Sequence, residues 1–216
     1  MTVDKPKYLK TNRLTLKPIQ MSDLETIQKY STDEEWHRYL DFHTNESVKD
    51  FVEKSVNTPW NENARFSIFL KSKMIGGIGL YIEQKDKTAE IGYSLSKNYW
   101  GKGIIPEAVE KVFHYGFTKL KLEKIFAQTD LRNLPSQSVM KKMKMKKEGI
   151  FRKHIISQNK RRDVIFYSIL KTEWENFYQQ VSPPSITTQN HSPKKIHLKP
   201  NKELHMQYPQ AFLIFP

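Results

Sequence analysis

The sequence contains no cysteine among its 216 residues. A disulfide framework, a thiol nucleophile and a cysteine-ligated zinc site are therefore excluded. Three histidines near the C-terminus, His191, His197 and His205, lack the close spacing of metal ligands, so we assign no metal site. No internal repeat is visible. The chemistry of this chain is thus expected to proceed without a cysteine thiol and without a bound metal.

The chain also has no long apolar run. No stretch approaches the ~20 residues that cross a membrane as a helix, and the N-terminus carries no apolar targeting segment. We therefore expect a cytoplasmic protein without a membrane partner. With 216 residues and 38% hydrophobic content, the chain is long enough for one domain with a substantial core and a leftover segment.

Two common phosphate-binding loops are missing as well. The pattern G-x-x-x-x-G-K-[ST] does not occur, and the third glycine of a dinucleotide-binding fingerprint would fall at Pro106. Instead, a strand-like run over 91–95 leads to Gly101-Lys102-Gly103 and then to apolar residues at helical spacing over 105–117. Glycines allow backbone N–H groups to turn inward at a helix start, where anions bind favourably. The stretch predicts either an anion cradle or a simple strand-to-helix connection.

This stretch resembles the acetyl-CoA-binding motif of the GNAT superfamily of N-acetyltransferases. The branch it matches best is that of the ribosomal-protein N-terminal (alanine/serine) acetyltransferases. The matching residues are Glu90-x-Gly92-Tyr93, the run Tyr99-Trp100-Gly101-Lys102-Gly103, and Glu107-Ala108. Asn98 stands where the wider superfamily often has Gln or Arg.

A second stretch resembles another signature of that family. Asn133-x-x-Ser136 begins a helix-like segment that leads to Glu148-Gly149, with Met143-Lys144-Met145 where Leu-Gly-Phe is usual. The usual glycine helix stop is therefore missing. Judged from the residues alone, Asn133 or Ser136 is a candidate helix N-cap.

The resemblance implies an α/β (α+β) GNAT fold over residues 1–180. Its central sheet would be mixed and mostly antiparallel, with about six to seven strands, flanked by helices and splayed at the acetyl-CoA site. Alternation predicts strands at 13–18, 66–70, 74–82, 91–95, 125–129, 150–156 and 164–170, and Ser22 is the expected N-cap of the first helix. Residues 181–216 form a polar, proline-containing tail with an apolar end, which would dock on its own domain or on a second subunit of a homodimer.

The resemblance also implies an N-acetyltransferase that uses acetyl-CoA as cosubstrate. The amine would attack the thioester directly in a ternary complex, without an acyl-enzyme. A protein N-terminal α-amine is the first expectation for the acceptor. Acetylation of a small cationic amine, such as a polyamine or aminoglycoside, and a non-catalytic protein that binds CoA or RNA are the alternatives.

Site residues follow from the same resemblance. Glu90 would be the general base, although a structural carboxylate paired with a lysine is equally compatible with the sequence. Ser136 or a nearby tyrosine would be the acid that protonates the leaving sulfur. The residues expected to bind acetyl-CoA are Tyr93, Ser94 and Leu95 for the pantetheine and carbonyl, Trp100, Gly101, Lys102, Gly103 and Ile104 around the pyrophosphate, and Asn133 for the pantetheine arm.

Charge is unevenly distributed along the chain. The formal net charge is +13, yet residues 22–53 hold nine acidic against three basic residues. This acidic window would attract a cationic acceptor, or it is a set of solvated helix faces. Residues 141–147 include five lysines, which predict an amphipathic helix with a solvated outer face, contact with the CoA 3′-phosphate, or contact with RNA. Nucleic acid is the least favoured of these partners.

Overall fold

A computed structural model describes residues 4–31, 45–157 and 159–179. In that part of the chain, eight strands form one sheet in the order β1-β2-β3-β4-β5-β6-β8-β7. The strands are β1 (Leu9–Lys10), β2 (Leu14–Pro18), β3 (Asn63–Leu70), β4 (Lys73–Glu83), β5 (Thr88–Leu95), β6 (Lys124–Asp130), β7 (Lys146–Ser157) and β8 (Lys160–Leu170). The helices are α1 (Leu24–Ser31), α2 (Asn45–Asn57), α3 (Ile104–Thr118), α4 (Leu134–Lys142) and α5 (Lys171–Gln179).

The sheet is antiparallel except between β5 and β6, which the crossover helix α3 connects. These two strands pair over only three residues each, Thr88–Glu90 with Lys124–Phe126. Beyond Glu90, β5 continues to Leu95 without pairing to β6. The two strands therefore splay apart at the centre of the sheet, and the predicted mixed, splayed fold is confirmed.

All seven strands predicted from alternation are present, and the sheet has one strand more than expected. The additional strand is β1, which is too short, at two residues, to show any alternation. The predicted N-cap Ser22 is wrong. The chain enters α1 through a short 3₁₀ turn over Met21–Asp23, whose cap is Gln20, with a reciprocal bond from the Gln20 N–H to Asp23.

Each face of the sheet has its own apolar cluster. On one face, α3, α4 and α5 cover buried residues such as Phe66, Ile91 and Leu95. On the other face, α1 and α2 pack through a smaller cluster, consisting of Ile19, Ile27, Val48, Val52 and Met74. Because side chains alternate along a strand, residues of β5 point to these two faces in turn. Polar residues of β3 and β5 reach the face that α1 and α2 cover.

The helix α4 ends without the usual glycine. Lys144 takes the left-handed conformation, with a φ of 61°, and the Met145 N–H donates to the Met140 carbonyl in the pattern of a Schellman stop. The predicted amphipathic helix over 141–147 is therefore wrong, because the helix ends at Lys142 and Lys146 already begins β7. Met140 is buried, and Val139 and Met143 pack against the core.

Replacing Lys144 by glycine is expected to stabilise the fold. A left-handed φ costs a non-glycine residue about 1–2 kcal/mol, and loss of the Lys144 contact with the Phe177 ring offsets part of the gain. We expect Lys144→Gly to raise the free energy of unfolding by about 1 kcal/mol, measured by urea denaturation. Lys141→Gly, at an exposed helical position in the last turn of α4, should instead lower it, because glycine disfavours the helical conformation. Equal destabilisation by both changes would contradict this account.

The strand β7 lies at one edge of the described sheet. Its pairing with β8 shifts register twice, between Lys147 and Gly149 and between Phe151 and Ile155. Nearly all of its side chains are exposed to solvent, including those of Ile150, Phe151 and Ile156. β7 thus adds backbone pairing to the sheet and little to the core.

One expectation falls outside the described residues, namely the tail over 181–216 with its docking on this domain or on a second subunit. Among the described helices, none combines the length and the apolar character needed to cross a membrane.

Candidate functional site

The glycine loop between β5 and α3 forms a cradle of free backbone N–H groups. Gly101 and Gly103 both have positive φ, 72° and 70°, and Gly103 is the N-cap of α3 without any side-chain cap. Within the described chain, the N–H groups from Gly101 to Ile105 make no hydrogen bond. A helix N-terminus with unbonded N–H groups and its positive dipole end binds anions.

A set of hydrogen bonds between Glu107 and residues 11–13, which no sequence pattern predicted, fixes this cradle in place. The Glu107 carboxylate accepts hydrogen bonds from the Thr11 hydroxyl, the Arg13 N–H and the Arg13 Nε, the last at 2.6 Å. Arg13 Nη1 also donates to the Lys102 carbonyl at 3.1 Å. Burial would raise the pKa of Glu107, but these bonds from Thr11 and Arg13 outweigh it and lower that pKa. The Arg13–Glu107 ion pair therefore fixes the loop and the first turn of α3 against the segment 11–13, with the guanidinium beside the cradle.

The loop side chains named from the resemblance hold the loop itself. Trp100 Nε1 donates to the Leu95 carbonyl at 2.8 Å, which ties the loop back to the end of β5. Lys102 Nζ donates to the Asn98 carbonyl at 2.8 Å, with its ammonium 5.5 Å from the Tyr99 ring centroid. In this conformation Trp100 and Lys102 shape the cradle, and the backbone offers the groups that would contact an anion.

The free edge of β5 leads from the cradle into the splay. Leu95 and Tyr93 are buried, and the Tyr93 hydroxyl donates to the Ser136 carbonyl at 3.4 Å. Burial raises the pKa of the Tyr93 hydroxyl, so it stays protonated near neutral pH. On the other face of β5, the Ser94 hydroxyl lies 3.2 Å from that of Tyr30 on α1.

Asn133 and Ser136 open helix α4 beside this edge. Asn133 is its N-cap, because Asn133 Oδ1 accepts from the Ser136 N–H at 3.2 Å, and the Asn133 amide donates to the Thr129 hydroxyl at 3.1 Å. Both ends of that amide are thus engaged, and contact with a pantetheine arm would have to replace or share one of these bonds. The Ser136 hydroxyl is buried and has no hydrogen-bond partner among the described residues.

Glu90 lies at the point where β5 and β6 separate. It pairs across the sheet with Tyr81 on β4 and Phe126 on β6. Its Oε1 atom is shielded from solvent and finds no hydrogen-bond partner in the described part of the chain. Burial raises the pKa of Glu90 to about 7, although hydrogen bonding with Gln128 and the positive charge of Arg65 act to lower it.

Arg65 is a second ionisable group of this polar layer, and no motif or spacing in the sequence pointed to it. Its guanidinium lies 4.7 Å from the centroid of the Phe51 ring on α2 and 5.8 Å from that of Tyr81. Burial lowers the pKa of Arg65 to about 10, which leaves it charged at neutral pH. A buried positive charge therefore sits on the same face of the sheet as Glu90.

The site has two sides that meet at the splay. Glu90 and Tyr93 are three residues apart on one strand, so they point to opposite faces. The cradle, Tyr93 and Ser136 belong to one side. Glu90, Arg65 and the Tyr30–Ser94 contact belong to the other, under α1 and α2. The arrangement suits a reaction in which two molecules approach one opening from opposite faces.

A groove of about 330 Å³ extends from the cradle along the outer side of α3. It runs between α3, the end of α4 and α5, and its walls include Gly103, Pro106, Lys142, Lys144 and Trp174. Two lysines thus line a channel that begins at the cradle. This places positive charge within reach of a further phosphate on a long ligand.

Comparison with known proteins agrees with this geometry. The family described as "Acetyltransferase (GNAT) domain" matches residues 13–146. The uncharacterized N-acetyltransferase p20 of Bacillus licheniformis is 35% identical over 173 residues, which cover 77% of this chain and 97% of that protein. YdaF of Bacillus subtilis, provisionally named a ribosomal N-acetyltransferase, is 26% identical over 75% of this chain and 93% of its own. A GNAT-family acetyltransferase structure from Bacillus anthracis superposes with a TM-score of 0.69 at 30% identity, covering 77% and 99% of the two chains.

Proposed function

The chain belongs to the GNAT acetyltransferase family, and within that family we propose that it acetylates a protein N-terminal α-amine. It is an N-acetyltransferase that uses acetyl-CoA. The proposal concerns the acceptor and the residues that serve it. The ribosomal name of YdaF, a relative of similar length, supports a protein acceptor.

The raised pKa of Glu90 is the observation that carries this choice. A carboxylate with a pKa near 7 is an efficient base for an amine whose own pKa is close to that value. Protein α-amines have a pKa of roughly 7.7–8.0, whereas lysine-like primary amines lie near 10.4. Proton transfer to Glu90 is therefore uphill by about one unit for an α-amine and by more than three for an aliphatic amine.

The proposed reaction needs one base and one path for a second proton. The acceptor ammonium gives one proton to the Glu90 carboxylate, and the freed nitrogen lone pair forms the C–N bond with the acetyl carbonyl carbon. The C–S bond then breaks, and the second nitrogen proton passes to the departing sulfur. We place the unpartnered Ser136 hydroxyl beside that sulfur, where it would donate a hydrogen bond.

The residues around the cradle fit the anionic part of acetyl-CoA. Unbonded N–H groups from Gly101 to Ile104 would bind the pyrophosphate, with Arg13 as the adjacent cation. The free edge of β5, from Tyr93 to Leu95, would hold the pantetheine amides as an added strand would be held. Lys142 and Lys144 along the groove are available for the 3′-phosphate.

A small cationic amine is the competing acceptor, and the acidic window over 22–53 is the observation in its favour. In the described part of that window, however, carboxylates already have partners. Asp23 accepts from the Ser67 hydroxyl, Glu25 pairs with Lys29, and Glu53 lies 3.6 Å from Lys49. These groups are part of the fold on the α1 and α2 side, which weakens the case for a polyamine or aminoglycoside.

The experiment is a titration followed by a turnover assay. Acetyl-CoA binding would be measured by calorimetry, and CoA release would then be followed with N-terminal Ser and Ala peptides, spermidine and an aminoglycoside. We expect peptide-dependent release with a free N-terminus and none after the peptide α-amine is blocked. Faster release with spermidine or the aminoglycoside would overturn the acceptor assignment.

The cradle itself can be tested with one position and two substitutions. A Cβ at Gly101 would meet no atom within 4 Å, so a side chain has room there. Gly101→Glu should weaken acetyl-CoA binding at least about tenfold more than Gly101→Ala, because only the glutamate adds negative charge at the helix N-terminus. Both changes share the same backbone strain at φ 72°. Equal affinities of the two variants in calorimetry would place the pyrophosphate elsewhere.

A further inference from the structure

Three buried polar atoms on the α1 and α2 side of the sheet have no hydrogen-bond partner among the described residues. They are Glu90 Oε1, Gln128 Oε1 and Asn63 Nδ2. Gln128 and Asn63 are almost completely buried, with 3% and 1% exposure. Buried polar groups in native proteins are nearly always bonded, so a cluster of unbonded ones calls for a missing partner.

The strand register places two of these atoms together at the splay. Glu90 lies opposite Phe126 in the last residue pair between β5 and β6. Gln128 is two residues further along β6, so it points to the same face as Phe126, next to the opening. Hydrogen bonding with Gln128 also acts to lower the Glu90 pKa, in keeping with this placement on one face of the sheet. Two unbonded acceptor oxygens, one on each strand, therefore flank the opening.

A purely structural role for Gln128 accounts poorly for this arrangement. A buried glutamine that serves only the core would be expected to use its carbonyl oxygen as well as its amide. The ring of charged and polar groups that face Glu90 includes Arg65 on β3 and Tyr81 on β4, and neither brings a donor to Gln128 Oε1. The oxygen lacks an N–H donor, and the reaction delivers an amine to this point.

We propose that Gln128 binds the acceptor amine: its Oε1 accepts one N–H of the amine while Glu90 takes the proton from the same nitrogen. Gln128 then orients the lone pair toward the opening between β5 and β6. This inference rests on the proposed function, because it deepens the description of the acceptor side of that site. It gives the chain a two-point contact for a primary amine, with one neutral and one ionisable acceptor.

Gln128→Met tests the inference, because methionine keeps the size of the side chain and removes the acceptor oxygen. With an N-terminal Ser peptide as acceptor, we expect KM for the peptide to rise about tenfold or more, since a bond to a charged partner is lost. The Kd of acetyl-CoA should stay unchanged. Loss of hydrogen bonding to Glu90 should also move the acid limb of kcat/KM to higher pH whether or not Gln128 binds the amine, so the rise in KM is the test of the amine contact.

Gln84→Met provides the matched control, since Gln84 is exposed in the turn between β4 and β5. It should leave every constant unchanged. If Gln128→Met does not fold, Gln128→Asn replaces it, because it keeps the amide but withdraws it by one carbon, and the same rise in KM is expected. An unchanged KM for the peptide in the folded variant would overturn the inference while leaving the proposed function intact.

Failure of the proposed function is measured separately. If the wild-type protein binds acetyl-CoA but acetylates no Ser or Ala peptide, that function is wrong. The peptide would then be titrated by calorimetry into the wild type and Gln128→Met, each saturated with CoA. At least about tenfold weaker peptide binding to the variant would still support the amine contact. Equal binding, or none to either protein, would overturn it.

Discussion

Replacing Glu90 by glutamine is expected to reduce kcat about 10²–10⁴-fold, the usual contribution of a general base. Glutamine has the same shape but accepts no proton at any pH of interest. Its distance from the cradle, on the opposite face of β5, should leave the Kd of acetyl-CoA unchanged. Turnover would be measured by CoA release with an N-terminal Ser peptide, and acetyl-CoA binding by calorimetry.

The pH profile should identify the group that is lost. Burial raises the pKa of Glu90 to about 7, so the carboxylate form that accepts a proton accumulates only above that pH. Wild-type kcat/KM should therefore rise with pH through about 7, and this limb should be absent in Glu90→Gln. Glu83→Gln, at the exposed end of β4, is the control and should retain the limb. Unchanged turnover of Glu90→Gln at every pH would remove Glu90 from the base role.

The same substitution should stabilise the fold, with a definite pH dependence. A folded-state pKa above the unfolded value means that ionisation disfavours the folded state, so the penalty is absent below about pH 4.5 and complete above about pH 7. We expect Glu90→Gln to gain about 1–3 kcal/mol at pH 8 and nothing at pH 4. Glu107→Gln should behave oppositely, since bonds from Thr11 and Arg13 lower the Glu107 pKa and stabilise its carboxylate.

Adding a single methyl group at Gly76 should destabilise the protein more than any other change considered for the sheet. A Cβ at Gly76 would lie 2.3 Å from the Ser94 carbonyl oxygen and 3.1 Å from the Leu95 Cα, both of them backbone atoms. β4 and β5 would have to separate at the centre of the sheet. We expect Gly76→Ala to lower the free energy of unfolding by about 3 kcal/mol and Tm by roughly 6–12 °C.

The neighbouring glycine supplies the control. A Cβ at Gly77 would have the Ser94 hydroxyl at 3.5 Å as its nearest neighbour, an ordinary contact. Gly77→Ala should therefore leave stability unchanged or raise it slightly, because alanine loses less chain entropy on folding. Both variants would be compared by urea denaturation and thermal unfolding. Similar stability of the two variants would show that the strands tolerate the added atom. The close approach of β4 and β5 would then not explain why position 76 is a glycine.

Gly76 also connects the fold with the site. Its close approach brings the backbone of Ser94 and Leu95 against β4, and the opposite edge of that same segment is the one that would hold pantetheine. A shift of β5 in a folded Gly76 variant should therefore weaken acetyl-CoA binding as well. The register of β3 and β4 also shifts between Ile68 and Phe69, opposite this stretch.

What could be predicted from the sequence depended on local patterns. The glycine cradle is continuous in sequence, and its backbone conformation follows from Gly101 and Gly103 alone. The Asn133 cap is local in the same way, and it was among the predicted roles for that residue. The resemblance to a family supplied the pairing of these two segments at one opening, which neither alternation nor spacing could have given.

What could not be predicted depended on contacts between distant segments. Arg65 and Gln128 belong to strands whose residues face Glu90 only through the register of a mixed sheet, and no pattern in either strand marks them as polar partners. The bond between Arg13 and Glu107 spans 94 residues. The helix stop at Lys144 was missed because a lysine in the left-handed conformation leaves no mark in the sequence.

The shape of β7 has a consequence for how this protein behaves at high concentration. β7 is an edge strand with exposed apolar side chains, at Ile150, Phe151 and Ile156. The unpaired backbone groups of such a strand can form hydrogen bonds with a strand of another molecule. The two register shifts interrupt its regular pairing, and Arg152 and Lys153 place like charges along the exposed strand. Together they oppose the in-register addition of another chain. The basic, irregular edge thus disfavours fibrous aggregation. Resistance to aggregation can be selected for independently of catalytic activity.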